Sequence, residues 1–283
     1  MKTTKIVFTF LAVLSLTLFS CSDENVATTG KLNVQITDAP FPFDTVEEAN
    51  VTITKIEGRL KEGDIEGSPF ITLTEEEAQI NLVELNNGLT ETLANTTVPV
   101  GKYDLFRIYI KEASVLLTDG TSYEMTIPSG AQSGLKVFVK PNITVGGDAP
   151  GQVLLDFDIS RSFVPQSNPN APNGISGFNF KPVIKACNVD TTGTLRGVVT
   201  GGYGADMMEP LFGAEVSVYN AEGMIETTTF TDENGNYMVL GLDPGTYSAT
   251  VVADGYPSET ADDVVITTGG ETVQDFELVI AAE

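Results

Sequence analysis

Apolar and polar residues alternate along most of this chain, with the period of a β-strand. Leu32, Val34 and Ile36 share one face over residues 31–37, and Val51 and Ile53 begin a similar run over 50–56. Between Lys102 and Lys111, the residues Phe106, Ile108 and Ile110 lie together, opposite Tyr103, Leu105 and Tyr109. Leu135 to Val139 alternates again, and Val153, Leu155, Phe157 and Ile159 line one side of a further strand. Gly, Pro, Asn and Asp bound these runs, as expected of strands joined by tight turns. The one helical spacing is Leu85, Leu89 and Leu93, enough for a turn or two.

The alternation lapses at Asn188 to Gly193 and then resumes with a shorter rhythm. Asp232-Glu233-Asn234-Gly235-Asn236 and Asp243-Pro244-Gly245 are turn clusters, because Asn and Gly accept positive φ and Pro fixes it. Seven short strands in the last part of the chain predict a sandwich. The pattern therefore predicts an all-β protein of two β-sandwich domains in series, at 30–187 and 193–281. Pro165 to Gly177 reads as a surface loop within the first.

The first twenty residues form a separate unit. Lys2 and Lys5 precede an apolar run, Ile6 to Phe19, that ends in Leu18-Phe19-Ser20-Cys21. A basic start, an apolar middle and a small residue at the end describe a signal peptide. The run is 14 residues long, broken only by Thr9, Ser15 and Thr17, and falls short of the roughly 18 that a spanning helix requires. The Leu-x-Ser-Cys end resembles the lipobox of bacterial lipoproteins. That resemblance implies removal of residues 1–20 and acylation of Cys21, which would anchor the chain at about 0.8 kcal/mol per buried CH₂. Residues 21–29 then form an acidic tether. Its Ser22-Asp23-Glu24-Asn25 resembles the export signal that sends Bacteroidetes-type lipoproteins to the outer face of the outer membrane.

Composition narrows the partners. Without Lys2 and Lys5 the chain keeps 13 basic residues against 39 acidic ones, a net charge of −26. Nucleic acid is an improbable partner for such a balance, since its binding depends on Lys and Arg neutralising phosphate. Membrane contact is expected through the anchor alone, and an unknown protein or glycan remains as partner. The chain has no histidine, so neither a Ser-His-Asp nor a Cys-His arrangement nor an imidazole zinc site is available. Cys187 loses its one possible disulfide partner if Cys21 is acylated, and it is expected to be buried or in the linker. A glycosidase that uses carboxylates alone is left open.

Two family resemblances follow from longer motifs. Thr194 to Val199, Gly213-Ala214-Glu215-Val216, Thr231 to Tyr237 and Leu242-Asp243-Pro244-Gly245-Thr246-Tyr247 resemble the carboxypeptidase regulatory-like family. This implies a transthyretin-like or Ig-like sandwich that acts as an accessory module without catalytic residues. Thr37-Asp38-Ala39-Pro40, Leu82 to Gly88, Pro99-Val100-Gly101-Lys102-Tyr103, Asp156-Phe157-Asp158 and Lys181-Pro182-Val183-Ile184 resemble the bacterial family called domain of unknown function 4382. That resemblance implies an exported β-rich domain, typically within a lipoprotein.

Candidate ligand-facing residues are few. Asp156 and Asp158 project to one side of a strand whose other side is apolar. They are candidates for Ca²⁺ or for an acid and base pair, against a solvated face or partners for Arg107 and Lys181. No metal site is assigned, because a cation site needs six or more oxygens. Phe41 and Phe43, in the loop after Asp38-Ala39-Pro40, place two rings for an exposed patch or a hydrophobic plug. Asp232 to Asn236 lacks the spacing of an EF-hand and is read as a hairpin turn. The expected function is a non-catalytic binding, adhesive or scaffold module of the cell envelope, with no cofactor. The alternative is a carbohydrate-binding accessory lipoprotein of a polysaccharide-uptake system, favoured by a shallow groove holding Phe41, Phe43 or Tyr203.

Overall fold

The structure, a computed structural model, describes residues 27–39, 45–61, 68–147, 149–168, 174–203 and 207–280. The chain runs first through β1 (Thr29–Ala39), β2 (Val46–Lys61), β3 (Phe70–Thr74), β4 (Ala78–Asn81), β5 (Glu91–Pro99) and β6 (Gly101–Leu117). It continues through β7 (Ser122–Glu124), β8 (Leu135–Val145), β9 (Gly151–Asp158), β10 (Phe163–Ser167), β11 (Ile175–Phe180) and β12 (Ile184–Asn188). Hydrogen bonds link the strands β3-β2-β6-β8-β12-β9-β1-β5 in one ten-stranded sheet, with β4 and β7 beside β2 and β6. The fold-over falls at β8, which meets β12 through the single pair Val139 and Ala186. The first sandwich is thus one sheet folded on itself. Leu32, Val34, Ile36, Val153, Leu155 and Phe157 on one half face Val51, Ile53, Phe106, Ile108 and Ile110 on the other, nearly all inaccessible to solvent.

The second sandwich is built from β13 (Gly193–Tyr203), β14 (Glu209–Pro210), β15 (Glu215–Tyr219), β16 (Ile225–Phe230), β17 (Asn236–Leu242), β18 (Gly245–Val252), β19 (Glu259–Ile266), β20 (Glu271–Val273) and β21 (Phe276–Ile280). One sheet centres on β13, flanked by β14, β17, β20 and β21; the other runs β16-β15-β18-β19. Counting β20 and β21 as one interrupted strand beside β13, and setting aside the two-residue β14, leaves the seven strands expected. A separate core packs between the sheets around Leu195, Val216, Val218, Tyr237, Ala249 and Phe276.

Both sandwiches use the same tyrosine device. Pro99-Val100-Gly101-Lys102-Tyr103 and Asp243-Pro244-Gly245-Thr246-Tyr247 each turn the chain into a strand. Tyr103 then donates its hydroxyl to the Pro99 carbonyl at 2.9 Å, and Tyr247 to the Asp243 carbonyl at 2.8 Å. In each case the ring is buried while its polar end is satisfied four residues back.

Three expectations require correction. Tyr103 belongs with the buried face of β6, because the register slips at Asp104; Leu105 and Tyr109 do project from the other side. The leucine spacing at 85, 89 and 93 holds only one 3-10 turn, Leu82–Leu85. Asn87 and Gly88, with φ of 54° and 79°, end it, Leu89 is exposed and Leu93 lies in β5. Finally, much of Pro165–Gly177 is a hairpin, since Pro165 to Ser167 pair with Ile175 to Phe178; the Phe163 and Phe180 rings seat its base, 5.1 Å apart.

Candidate functional site

The junction between the sandwiches is a structured turn. The Asn188 carbonyl accepts the backbone N–H groups of Thr191 and Thr192 at 3.0 and 3.2 Å, and its side-chain amide donates to the Asn142 carbonyl. The turn sets β16 and β17, the edge strands on one side of the second sandwich, against the outer face of β1, β9 and β12. Uncovered strand edges invite pairing with other chains, and here the first domain covers them. Asn87 donates its amide to the Asn236 carbonyl at 3.1 Å. Gly88 and Gly241 both have positive φ, 79° and 73°. A methyl group at Gly88 would meet the Met238 sulfur, and one at Gly241 would come within 3.1 Å of Cys187 Sγ. Glycine is needed at both for conformation and for space.

Beside this contact opens a cleft of about 570 Å³. Asp156, Asp158, Arg161 and Lys185 form one wall, with Glu226 and Thr228 opposite. The geometry follows from strand alternation. Val153, Leu155 and Phe157 fill the core, so Leu154, Asp156 and Asp158 turn outward; Leu154 is covered by the second domain near Gly241, whereas the two acids reach the cleft. Lys185 is the cross-strand partner of Asp156 on β12, and its ammonium crosses the cleft to Glu226 at 2.5 Å.

The two acids differ in their surroundings. Asp158 accepts the backbone N–H of Arg161 and the Ser160 hydroxyl, both at 2.8 Å, and the Arg161 guanidinium at 2.5 Å. It caps the helical turn Ile159–Ser162, a structural role of the kind Asp fills well. Asp156 accepts no hydrogen bond from the described residues. Burial, reinforced by the Asp158 carboxylate and opposed by Lys185 and Arg161, pushes its carboxyl up to about 6. Burial pulls the Lys185 ammonium down, but the hydrogen bond and charge of Glu226 leave it above its ordinary value.

The sequence therefore located Asp156 and Asp158 on a common side, but neither Arg107 nor Lys181 pairs with them. Arg161 pairs with Asp158 and Lys185 with Glu226, while Arg107 lies 3.7 Å from Glu57 and stacks 3.6 Å above the Phe70 ring. Glu226 was missed because its approach depends on the fold of two domains; no local motif signals it. Cys21, Phe41 and Phe43, like the signal peptide, lie outside the described residues. Tyr203 is 67% exposed, at the end of β13. Cys187 is buried at the interface, where burial pushes its thiol up to about 11; a thiol so protonated is a poor nucleophile. In the turn at 232–236, Asp232 accepts the N–H groups of Asn234 and Asn236 at 2.8 Å. Its carboxylate thus serves its own hairpin. Among the described residues, no group of three Asp, Glu or Cys side chains converges as a metal site requires, and no helix is long and apolar enough to cross a membrane.

Comparison with known proteins adds family matches to this geometry. A family model described as Domain of unknown function (DUF4382) matches residues 29–182, more than half of the chain. A second, the carboxypeptidase regulatory-like domain, matches residues 194–279. A search of curated proteins finds no match. Among solved structures, the minor pilin GBS52 of Streptococcus agalactiae is 13% identical, with 89% of this chain and 97% of that one covered and a TM-score of 0.28. The shaft pilin SpaA of Lactobacillus rhamnosus GG is 14% identical over 90% of this chain and 98% of that one, with a TM-score of 0.24. Catechol 1,2-dioxygenase from Acinetobacter sp. ADP1 is 18% identical over 40% of this chain and 55% of that one, with a TM-score of 0.23. All three superpose loosely.

Proposed function

Because the chain belongs to the family described as Domain of unknown function (DUF4382) and carries a carboxypeptidase regulatory-like domain behind it, we propose that it is a cell-envelope lipoprotein acting as a non-catalytic binding or scaffold module. Its receptor site is the cleft between the sandwiches. The observation that carries this reading is Asp156, a half-buried acid without a hydrogen-bond donor among the described residues, in a cleft whose walls come from both domains. A ligand that offers a hydroxyl or ammonium donor to Asp156 supplies that partner, and nearby Ser160, Thr227 and Thr228 suit a polyhydroxylated one. Those hydroxyls favour the second reading, a carbohydrate-binding accessory lipoprotein.

Isotope-labelled mature chain, without its acyl group, tests the site. Neutral oligosaccharides and amines added in turn are expected to shift the Asp156, Thr227 and Thr228 resonances, and Asp156→Asn to weaken the shifts. A panel that leaves those resonances unmoved would remove the cleft as a receptor. The anchor has its own assay: Cys21→Ala should abolish incorporation of radioactive palmitate in cells, and undiminished label would refute lipidation. Surface exposure predicts that protease added to intact cells degrades the protein; complete protection would place it on the periplasmic side.

A further inference from the structure

The basic residues of this acidic chain are unevenly placed. Of the 15 Lys and Arg in the sequence, β2 carries Lys55, Arg59 and Lys61, β6 carries Lys102, Arg107 and Lys111, and β8 carries Lys136 and Lys140. Alternation with the buried residues of these strands turns all eight to the outer face of one half of the first sheet. Residues 193–283 hold a single basic residue, Arg196, against 16 acids. The outer face therefore gathers into an island more than half of the chain's basic residues, with Glu57, Asp104 and Glu112 among them, on a molecule of net charge −24.

Internal pairing consumes the cations at one side of the island and leaves the other side open. Arg59 makes a two-pronged contact with Asp104 at 2.8 and 2.9 Å. Lys55 meets Glu57 and Glu75, Arg107 meets Glu57, and Lys111 meets Glu77 and Glu112. Lys102, Lys136 and Lys140 have no ion pair with the described residues. Lys136 and Lys140 flank Phe138 along β8, two residues to either side and on the same face. The Phe138 ring is 58% exposed, and the Arg59 guanidinium holds its flank at 6.0 Å from the centroid. Cross-strand pairing sets Arg107 opposite Lys136 and Leu105 opposite Phe138. Leu105 is buried although it faces outward, so the ring rests on an apolar seat.

We propose that this face, centred on Lys136, Phe138 and Lys140, is a docking surface for a carboxylate-bearing polysaccharide. A sugar ring presents an apolar C–H face that fits an exposed phenyl ring, and the carboxylates of neighbouring residues fall to the lysines on either side. β2 and β6 are 16 and 17 residues long. At about 3.3 Å per residue, their face is long enough for several sugar units in a row. Unpaired lysines are better suited than ion-paired arginines to accept new anions, since no existing bridge has to break. Charge steers encounter and orientation, and the ring adds preference for a saccharide over other polyanions.

Affinity electrophoresis of the unlipidated mature chain, at several salt concentrations, tests the assignment. Polygalacturonate in the gel should retard the protein, and its fully methyl-esterified form and dextran should not. Lys136→Gln/Lys140→Gln should weaken retardation by about tenfold, as should raising salt several-fold, because each lost lysine contact removes a displaced counterion. Phe138→Ala should weaken polygalacturonate binding several-fold while leaving the thermal midpoint in place, which separates loss of the platform from loss of the fold. Equal retardation by polyphosphate or single-stranded DNA, insensitive to Phe138→Ala, would overturn the proposal in favour of unspecific polyanion contact. Sedimentation velocity that shows salt-sensitive dimers without polysaccharide, abolished by the lysine substitutions, would overturn it in favour of a second copy's acidic C-terminal domain.

Discussion

Asp156→Asn should stabilise the protein at neutral pH, although it removes a charge next to a lysine. The folded carboxyl holds its proton up to about pH 6, against 3.8 when unperturbed. Folding therefore takes up a proton between those values, and stability falls as pH rises through them. Below about pH 3 the acid is neutral in both states and costs nothing; above about pH 6 nearly the whole penalty is present. Each tenfold difference in proton affinity is about 1.4 kcal/mol, so the ceiling at pH 7 is about 3 kcal/mol. Asparagine has nearly the same shape and no charge, which removes the titration and little else. Urea titrations of both forms at pH 4, 5, 6 and 7 read the difference as a shift of midpoint at constant slope. It should be about 0.5 kcal/mol or less at pH 4 and should grow to between about 1 and 3 kcal/mol in favour of Asn at pH 7. A constant difference from pH 4 to 7, or an Asn form less stable at pH 7, would show that Lys185 and Arg161 outweigh burial at this acid.

Other substitutions test the packing. Tyr103→Phe removes the hydroxyl that reaches the Pro99 carbonyl and should cost about 1–3 kcal/mol, read from the same urea midpoints; a neutral result would mean that water replaces the bond. Gly241→Ala adds a methyl group against Cys187 at positive φ and should cost at least about 1–2 kcal/mol. Cys187→Ser in the same chain should relieve little of that, because the backbone strain remains. The fragment Asp190–Glu283 should show β-type circular dichroism and a cooperative melt, but should associate more readily than the full chain, because β16 and β17 lose their cover. A non-cooperative melt would show that the interface is required for folding.

Strand positions were legible wherever one face is buried and the other wet, because period-2 alternation then records the core directly. Leu32, Val34 and Ile36 and the run from Val153 to Phe157 are of this kind, and each is buried as expected. Tyr103 was placed on the wrong face because the slip at Asp104 changes the phase without any residue that announces it. The junction read as a lapse in pattern, yet Asn188 ties it with several hydrogen bonds that only the three-dimensional fold brings together. Asp156 and Asp158 could be paired by counting along the strand. That one caps a turn while the other faces a second domain depends on Ile159 leaving strand geometry and on Glu226 arriving from 70 residues away. The cationic face was hidden by total charge, since composition sums over the molecule and the fold sorts it.

The strand order also determines how the molecule resists a pull along the chain. In the second sandwich, β13 enters parallel to β20 and β21, the last strands. Tension between Gly193 and Ile280 drags these neighbours past one another, so the hydrogen bonds of the ladder bear the load together. In the first, β1 and β12 run in opposite directions on either side of β9, and Val34, Val153 and Asn188 stand in one row. Tension between Thr29 and Asn188 then pulls on β1 and β12 from the same end of the sheet, Val34 and Asn188 being two strand spacings apart, about 10 Å, and opens the sheet one bond at a time. The N-terminal domain is the weak link under force, and the C-terminal one is the clamp.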